Sequence, residues 1–288
     1  MFKQAVFSDE VSQDIERAIA VCKQYGLQGI ELRSVWGHKA PQDIPQADCE
    51  KIKAMLDAEG LSVCSIASPF FKCDIDSPTE IAQHHDLLRR CGELANFFGA
   101  GVVRGFTFWR KGDYDKARVL DLFGPVVKIL DEGDFTMGIE NEASTFIGTG
   151  RRLADFLADL DSPRVGAIWD ACNVLYDDED KEVPYPDGYE AIKPRIVHVH
   201  IKDSKPNAQG EQECCPIGEG NIDFVGQYRA LFADNYEGWT SLETHWRTTA
   251  LTKEQVDKPG GADYSEGAER SSVICLQNIQ KIIEQVKP

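Results

Sequence analysis

One pattern repeats along the whole chain: a short apolar run, a loop, and a longer segment whose apolar residues recur every three or four positions. Short runs rich in β-branched residues predict strands, and the three-to-four spacing predicts amphipathic helices. The predicted strands are Gln4–Phe7, Gly29–Leu32, Ser62–Ala67, Gly101–Phe106, Thr136–Ile139, Val165–Trp169, Ile196–Ile201 and Trp239–Leu242. The predicted helices are Gln13–Tyr25, Asp48–Glu59, Thr79–Phe98, Asp115–Asp131, Thr149–Leu160, Tyr189–Lys193, Phe224–Asp234 and Ser265–Val286.

Eight strand-then-helix units share 288 residues, so each unit has 288/8 = 36 residues. Strict alternation predicts a parallel sheet, because neighbouring parallel strands need a crossover segment between them. An open, doubly wound sheet is the competing α/β fold, but it often carries a glycine-rich turn after its first strand. The corresponding turn, Phe7-Ser8-Asp9-Glu10, has no glycine. We therefore predict an α/β chain folded as a single (β/α)8 barrel, with residues 1–288 forming one domain.

The connections between the units carry further signals. Glycines follow several predicted helices, where a left-handed cap residue is expected; they are Gly26, Gly60, Gly99 and Gly133. Two connections are much longer than the others and are predicted to be loops, Ser204–Ile222 and Arg247–Asp263. Asp223 follows the first of these loops, and we expect it to cap the next helix.

Charge and cysteine content restrict the partners and the compartment. Lys and Arg total 31 and Asp and Glu total 48, so the formal charge is 31 − 48 = −17, which argues against binding to nucleic acid or to an anionic membrane. No run approaches the roughly 20 apolar residues of a membrane helix, and the N-terminal segment lacks a signal peptide's apolar region. The nine cysteines form no CxxC pair, a usage typical of a reducing cytoplasm. We expect a cytoplasmic protein in which Cys214 and Cys215 are exposed loop residues.

Polar side chains end almost every predicted strand. In a (β/α)8 barrel the C-terminal strand ends carry the chemistry, whereas the opposite face supplies stability. Residues two apart share one face of a strand, so His198, His200 and Lys202 point to the same side. The same rule places Glu31 beside Arg33, and Glu243 beside His245.

Four polar residues at the ends of the last four predicted strands are the strongest candidates for a shared site. They are Glu140, Asp170, His200 and Glu243. Three carboxylates and one imidazole make an oxygen-rich donor set that suits Mn²⁺, Mg²⁺ or Co²⁺, with Zn²⁺ also compatible. A divalent cation would offset the mutual repulsion of three carboxylates in a low-dielectric barrel mouth. The alternative is that each acid pairs with a nearby cation, for which Arg33, Arg104 and Lys202 are the candidates.

The sequence resembles the xylose isomerase-like barrels, in the branch of sugar phosphate isomerases and epimerases. Relatives in that family include ketose 3-epimerases, hydroxypyruvate isomerase and inosose dehydratase. The resemblance extends over almost the whole chain and rests on several short motifs in order. They are Phe7-Ser8-Asp9-Glu10, Gly29-Ile30-Glu31-Leu32-Arg33, Gly138-Ile139-Glu140-Asn141, Trp169-Asp170-Ala171-Cys172-Asn173, His198-Val199-His200-Ile201-Lys202-Asp203, Gly218-Glu219-Gly220-Asn221-Ile222-Asp223 and Ser241-Leu242-Glu243.

The resemblance implies metal ligation by the same quartet that the strand ends select. It further implies an isomerase or epimerase of a small polyhydroxy carbonyl compound that reacts through an enediolate, with Glu140 and Glu243 as the proton-transfer groups. Asp170 and His200 would complete the metal site. Relatives are often dimers or tetramers, so a homo-oligomer is implied as well.

Five further residues are expected to bind the substrate: Glu31, Arg104, Asn173, His198 and Lys202. Two positions depart from the ketose 3-epimerase pattern. Asn173 stands where those enzymes carry a histidine, and Pro206 stands where they carry an arginine. An amide can bind a sugar hydroxyl but cannot shuttle a proton as imidazole does. Two alternatives therefore stay open: a lyase that dehydrates inosose or 3-dehydroshikimate on the same site, and a sugar-binding barrel without catalytic activity.

Overall fold

The computed structural model describes residues 2–248, 251–252, 254–255 and 258–287. The strands span Lys3–Phe7 (β1), Gly29–Leu32 (β2), Ser62–Phe70 (β3), Val102–Gly105 (β4), Met137–Glu140 (β5), Val165–Asp170 (β6), Ile196–Ile201 (β7), Asp203–Pro206 (β8), Gln212–Cys215 (β9) and Trp239–Leu242 (β10). The helices span Ile15–Tyr25 (α1), Gln46–Ala58 (α2), Pro78–Phe98 (α3), Lys116–Gly133 (α4), Gly150–Leu160 (α5), Ala171–Val174 (α6), Tyr189–Ile192 (α7), Phe224–Ala233 (α8), Ala262–Ser265 (α9) and Ala268–Val286 (α10).

Eight parallel strands have the order β1-β10-β7-β6-β5-β4-β3-β2 of a closed barrel, so the predicted (β/α)8 fold class is confirmed. The packing of the backbone divides the chain into two compact units. Unit 1 comprises residues 1–64 and 199–288, and unit 2 comprises residues 65–198. That residues 1–288 form one domain stays a prediction.

The sheet of unit 1 has the order β2-β1-β10-β7. Its register places Val6 of β1 opposite Leu242 of β10, and Ser241 opposite His200 of β7. Helix α1 packs on β1 and β2 through a face of buried residues that includes Ile15 and Cys22. The side chain of Asp14 accepts a hydrogen bond from the backbone N–H of Glu16 and thereby caps the start of α1.

The sheet of unit 2 has the order β3-β4-β5-β6. Behind it, a chain of aromatic rings fills the core: Phe71 stacks on Phe108 at 4.1 Å between ring centroids and meets the edge of Phe123 at 5.5 Å, and Phe123 meets Phe156 at 5.1 Å. All four rings are fully buried. They supply a large share of the buried apolar area that stabilises this unit.

The connection predicted to be the loop Ser204–Ile222 contains the antiparallel hairpin β8–β9. A buried carboxylate, Asp203, organises its base by accepting hydrogen bonds from the backbone N–H groups of Ser204, Gly218, Gly220 and Ile222 at 2.9 to 3.3 Å. In this hairpin Cys215 is buried. The prediction that both adjacent cysteines are exposed is therefore wrong for Cys215, whereas Cys214 is partly exposed.

The other predicted loop, Arg247–Asp263, contains residues outside the described part of the chain. Helix α9 begins at Ala262, so the last two positions assigned to that loop are helical. Asp223 caps α8 as predicted, since its side chain accepts from the N–H of Gly226 at 2.8 Å. Among the described residues, no helix combines the length and the hydropathy that a membrane span requires.

Helix ends follow the glycine prediction at three sites and depart from it at the fourth. Gly26 and Gly99 adopt the left-handed conformation directly after α1 and α3, and Gly60, two residues after the end of α2, has a φ of 68°. Gly133, however, lies inside α4, and Asp134 takes the left-handed position with φ of 50°. A Cβ atom on Gly133 would lie 2.5 Å from the ring of Phe135, so close packing, rather than a cap, requires glycine there.

Replacing Gly26 tests the backbone argument without a packing effect, because a Cβ atom at this position would have no neighbour within 4 Å. We expect Gly26→Ala to lower the free energy of unfolding by about 1 kcal/mol, because alanine is disfavoured at positive φ. Gly26→Asn should lower it by less, since asparagine tolerates this conformation. Urea unfolding of the two variants measures the difference, and equal stability of Gly26→Ala and the unmodified protein would contradict the argument.

Candidate functional site

Each unit carries a buried polar cluster at the C-terminal ends of its parallel strands. In unit 2 the cluster contains Glu140, which ends β5, and Asp170, which ends β6. In unit 1 it contains His200, near the end of β7, and Glu243, which directly follows β10. All four side chains are at most 2% exposed, so each ionised group needs close partners.

In unit 2, both oxygens of Glu140 are held by hydrogen bonds. Arg104 Nη1 lies 3.1 Å from Oε2, and the amide of Asn173 donates to Oε1 at 3.0 Å. Arg104 is fixed in turn by the main-chain oxygens of Ser68 and Ala67. The structure therefore brings together Glu140 and two of the predicted substrate-binding residues, Arg104 and Asn173.

Asp170 is positioned by the backbone around it. Its Oδ1 accepts the N–H groups of Cys172 and Asn173 and caps α6. Asn141 binds the main chain of Asp170 twice: its Nδ2 donates to the carbonyl oxygen at 2.8 Å, and its Oδ1 accepts from the N–H at 2.9 Å. These two bonds lock the ends of β5 and β6 together. Asn141 was quoted only as part of a motif, and no role was predicted for it.

In unit 1, the imidazole of His200 lies between two carboxylates. Its Nε2 lies 3.3 Å from Glu31 Oε1, and its Nδ1 lies 4.0 Å from Glu243 Oε2. The ring of Phe7 packs edge-on against it at 5.0 Å. A carboxylate at one ring nitrogen fixes the orientation of an imidazole and directs the other nitrogen to its ligand.

Glu243 has cations on both of its oxygens. Lys202 Nζ lies 3.0 Å from Oε2, and Arg33 Nη1 lies 2.7 Å from Oε1. His245 Nε2 approaches Oε1 at 3.3 Å. Burial by itself raises the pKa of Glu243, but Lys202, His245 and Arg33 together hold that pKa well below its usual range. Glu243 is therefore a carboxylate at neutral pH.

The predicted residues are thus brought together within each unit. Unit 1 joins Glu31, His200, Lys202 and Glu243, and unit 2 joins Arg104, Glu140, Asp170 and Asn173. His198, on β7, is fully buried. Pairing with the candidate cations is seen for two of the three acids, because Arg104 pairs with Glu140 while Arg33 and Lys202 pair with Glu243.

A second group of charges in unit 1 surrounds Glu10, for which no role was predicted. Glu10 accepts hydrogen bonds from Arg33 and Tyr264 on Oε1 and from Arg247 on Oε2. The parity of the strand ends placed Arg33 beside Glu31 and His245 beside Glu243, and Arg33 was a candidate cation for the acids, but their contacts with Glu10 were not predicted. Arg247 and Tyr264 lie in or beside a long loop without periodicity, and no sequence signal pointed to them.

The comparisons with known proteins place the chain in a family. The sequence profile described as xylose isomerase-like TIM barrel matches residues 19–272, and the chain belongs to that family. The inosose dehydratase of Klebsiella pneumoniae (strain 342) is 25% identical over 264 residues, which cover 82% of this chain and 83% of that enzyme. The chain is an enzyme of this family, so a barrel without catalytic activity is set aside.

Solved structures agree on the fold. A probable 3-DHS dehydratase from Bacillus anthracis has a TM-score of 0.73 at 15% identity and covers 100% of both chains. The D-allulose 3-epimerase from Methylomonas sp. has a TM-score of 0.71 at 17% identity, covering 99% of this chain and 97% of its own. Dehydratases and epimerases therefore share this fold.

The charged residues around Glu10 lead to a prediction of how the stability of the protein depends on pH. Burial raises the pKa of Glu10, but Arg247, His245 and Arg33 outweigh it and lower the pKa to about 2 from an ordinary 4.5. A carboxylate with a lowered pKa stabilises the fold above its unfolded pKa and loses that contribution as the pH falls towards its folded pKa. We expect stability on the order of 3 kcal/mol to be lost between pH 4.5 and 2.

Arg247→Met should reduce stability at pH 7 by about 3 kcal/mol and flatten the decline between pH 4.5 and 2, because it removes the strongest cation on Glu10. Urea unfolding at a series of pH values measures both effects. Arg17→Met is the control, since Arg17 forms an exposed pair with Glu269 and its loss should leave the stability and the slope nearly unchanged. An unchanged slope in Arg247→Met would refute the assignment.

Proposed function

We propose that the protein removes the proton next to the carbonyl group of a small polyhydroxy ketone in a reaction that depends on a divalent metal ion. The observation that carries this proposal is that two glutamates, Glu140 and Glu243, are buried at the C-terminal ends of parallel strands. Each is fixed in orientation by hydrogen-bond donors on the same unit, Glu140 by Arg104 and Asn173 and Glu243 by Arg33 and Lys202. Membership of a family that contains isomerases, epimerases and dehydratases supports the reaction class.

We propose that Glu140, Asp170, His200 and Glu243 hold the metal ion. The donor set fits: three carboxylates and one imidazole are all buried, and they suit Mn²⁺, Mg²⁺ or Co²⁺. The contact of Glu31 with His200 Nε2 supports Nδ1 as the ligand nitrogen. When bound, such a cation stabilises the negative charge that develops on the substrate oxygen.

The surroundings of the two glutamates differ, and we infer different roles from this. Glu140 faces one guanidinium and one neutral amide, whereas Glu243 faces Lys202, Arg33 and the imidazole of His245. The lowered pKa of Glu243 makes that carboxylate a weak base. Glu140 is therefore assigned to accept the substrate proton, in the orientation set by Arg104 and Asn173.

Dehydration is the outcome we favour after this first step. Lys202 is a buried ammonium group 3.0 Å from Glu243 Oε2, and it could donate a proton to a departing hydroxyl group. The inosose dehydratases, similar over about four fifths of the chain, support this outcome. Within this scheme Glu31, Arg104 and Asn173 orient His200 and Glu140, and His198 and Lys202 contact the substrate.

Isomerisation or epimerisation through an enediolate is the second candidate. It needs one group to remove a proton and another to return one, and Glu140 and Glu243 could supply the two. The D-allulose 3-epimerase, which has the same fold, supports this candidate. Both candidates begin with the same proton abstraction. The cytoplasmic location and the homo-oligomeric state stay predictions.

Glu140→Gln tests the shared step. Inosose, 3-dehydroshikimate and D-allulose are incubated in D₂O with protein that has been stripped of metal and reloaded with Mn²⁺, and deuterium uptake is followed by NMR. We expect the variant to lose about 10²- to 10⁴-fold in exchange rate. Glu132→Gln, on the exposed face of α4, is the matched control and should exchange normally. An undiminished exchange rate in Glu140→Gln would show that Glu140 is not the base.

Lys202→Met separates the two outcomes. If the reaction is a dehydration, the variant should still exchange the substrate proton with D₂O but form the absorbing enone product at least about 100-fold more slowly, since the donor to the leaving group is missing. Ultraviolet absorbance and NMR measure the two rates on the same sample. Formation of a new sugar without any enone in the unmodified protein would favour the epimerase instead.

A further inference from the structure

Arg33 contacts three carboxylates with three different parts of its guanidinium group. Its Nε lies 3.0 Å from both oxygens of Asp9, its Nη2 lies 3.0 Å from Glu10 Oε1, and its Nη1 lies 2.7 Å from Glu243 Oε1. The residue is 2% exposed. Each nitrogen of the planar fork therefore has a defined partner.

Two aromatic rings fix the plane of the same guanidinium. The carbon Cζ of Arg33 lies 4.6 Å from the centre of the Phe7 ring and 4.9 Å from that of Tyr264. Such stacking suits the flat, delocalised guanidinium group and not the compact ammonium group of lysine. A lysine at this position would keep the positive charge but could not contact all three carboxylates with separate nitrogen atoms in one plane.

The partners of Arg33 on the side away from Glu243 are themselves held in place. Asp9 and Glu10 lie in the short 3₁₀ turn Ser8–Glu10 that directly follows β1, and both are fully buried. Arg247 and Tyr264 bind the two oxygens of Glu10. The turn after β1 thus anchors the guanidinium group, which in turn reaches Glu243.

We propose that Arg33 is a positioning residue that fixes the carboxylate of Glu243 in the orientation needed to bind the metal ion. This inference rests on the proposed function, because it takes Glu243 to be a metal ligand. It extends that function to the turn after β1 through Asp9 and Glu10. The contacts involved all lie within unit 1.

The sign of the change in metal affinity separates positioning from simple charge. A guanidinium group next to a ligand repels a bound cation, so its removal should tighten metal binding if charge were its only effect. If Arg33 orients Glu243, loss of the guanidinium group weakens metal binding instead. Residues that orient a metal ligand typically contribute 10- to 100-fold to metal affinity.

The test is Mn²⁺ binding to the metal-stripped full-length protein, measured by isothermal titration calorimetry. Arg33→Lys, which keeps the charge, is expected to raise the Kd for Mn²⁺ about 10- to 100-fold. Arg17→Lys is the matched control, since Arg17 lies at the surface, where it pairs with Glu269. Unchanged or tighter binding in Arg33→Lys overturns the proposal.

Asp9→Asn provides a second variant that alters Arg33 without touching Glu243. It weakens the anchor on Nε and is expected to raise the Kd several-fold, and an unchanged Kd in a folded Asp9→Asn protein overturns the proposal as well. Arg33→Gly with added guanidinium chloride at low millimolar concentration should recover part of the lost affinity, which a folding defect would not. If the unmodified protein binds no Mn²⁺, the proposed metal site itself fails, and this result is distinct from failure of the Arg33 assignment.

Discussion

Compensation of buried charge is the constraint on which the rest of the structure depends. Carboxylates end several parallel strands, and an ionised carboxylate is costly to bury without a partner. Arg33, Lys202 and Arg104 supply the positive charge within each unit, at 2.7 to 3.1 Å from Glu243 or Glu140. Such pairs are strongly destabilising to break but contribute little net stability. Their presence in the barrel is better explained by the chemistry they hold in place.

Periodicity predicted the strands well because short buried strands in a parallel sheet have a clear apolar pattern. The bounds of β2, β7 and β10 are as predicted. Strand β3 runs further, to Phe70, across a register irregularity between Ile66 and Phe70. A bulge of this kind leaves no trace in the alternation of apolar residues. The hairpin β8–β9 was missed for a related reason, since its residues are mostly polar and its base is organised by Asp203.

The candidate site could be predicted only in part. Strand-end position and parity, which follow directly from local sequence, singled out six polar residues that the structure then shows to be buried: Glu31, Glu140, Asp170, His200, Lys202 and Glu243. The partners that set their charge and orientation depend on contacts between distant segments. Arg33 and Glu243 are 210 residues apart, and Glu10 and Tyr264 are 254 apart. The sequence identified Arg33, Arg104 and Lys202 as candidate partners of the acidic residues, but it could not predict which cation pairs with which carboxylate.

The two contacts of Glu10 have a consequence for how this chain can diverge. Arg247 and Tyr264 stand at either end of the long connection after β10, and both bind the same buried carboxylate. The two ends of that connection are thus fixed independently of what lies between them. Doubling the length of a flexible loop between fixed ends costs only about 0.6 kcal/mol. Evolution can therefore lengthen, shorten or replace the intervening residues at little cost while the contacts of Glu10 are retained.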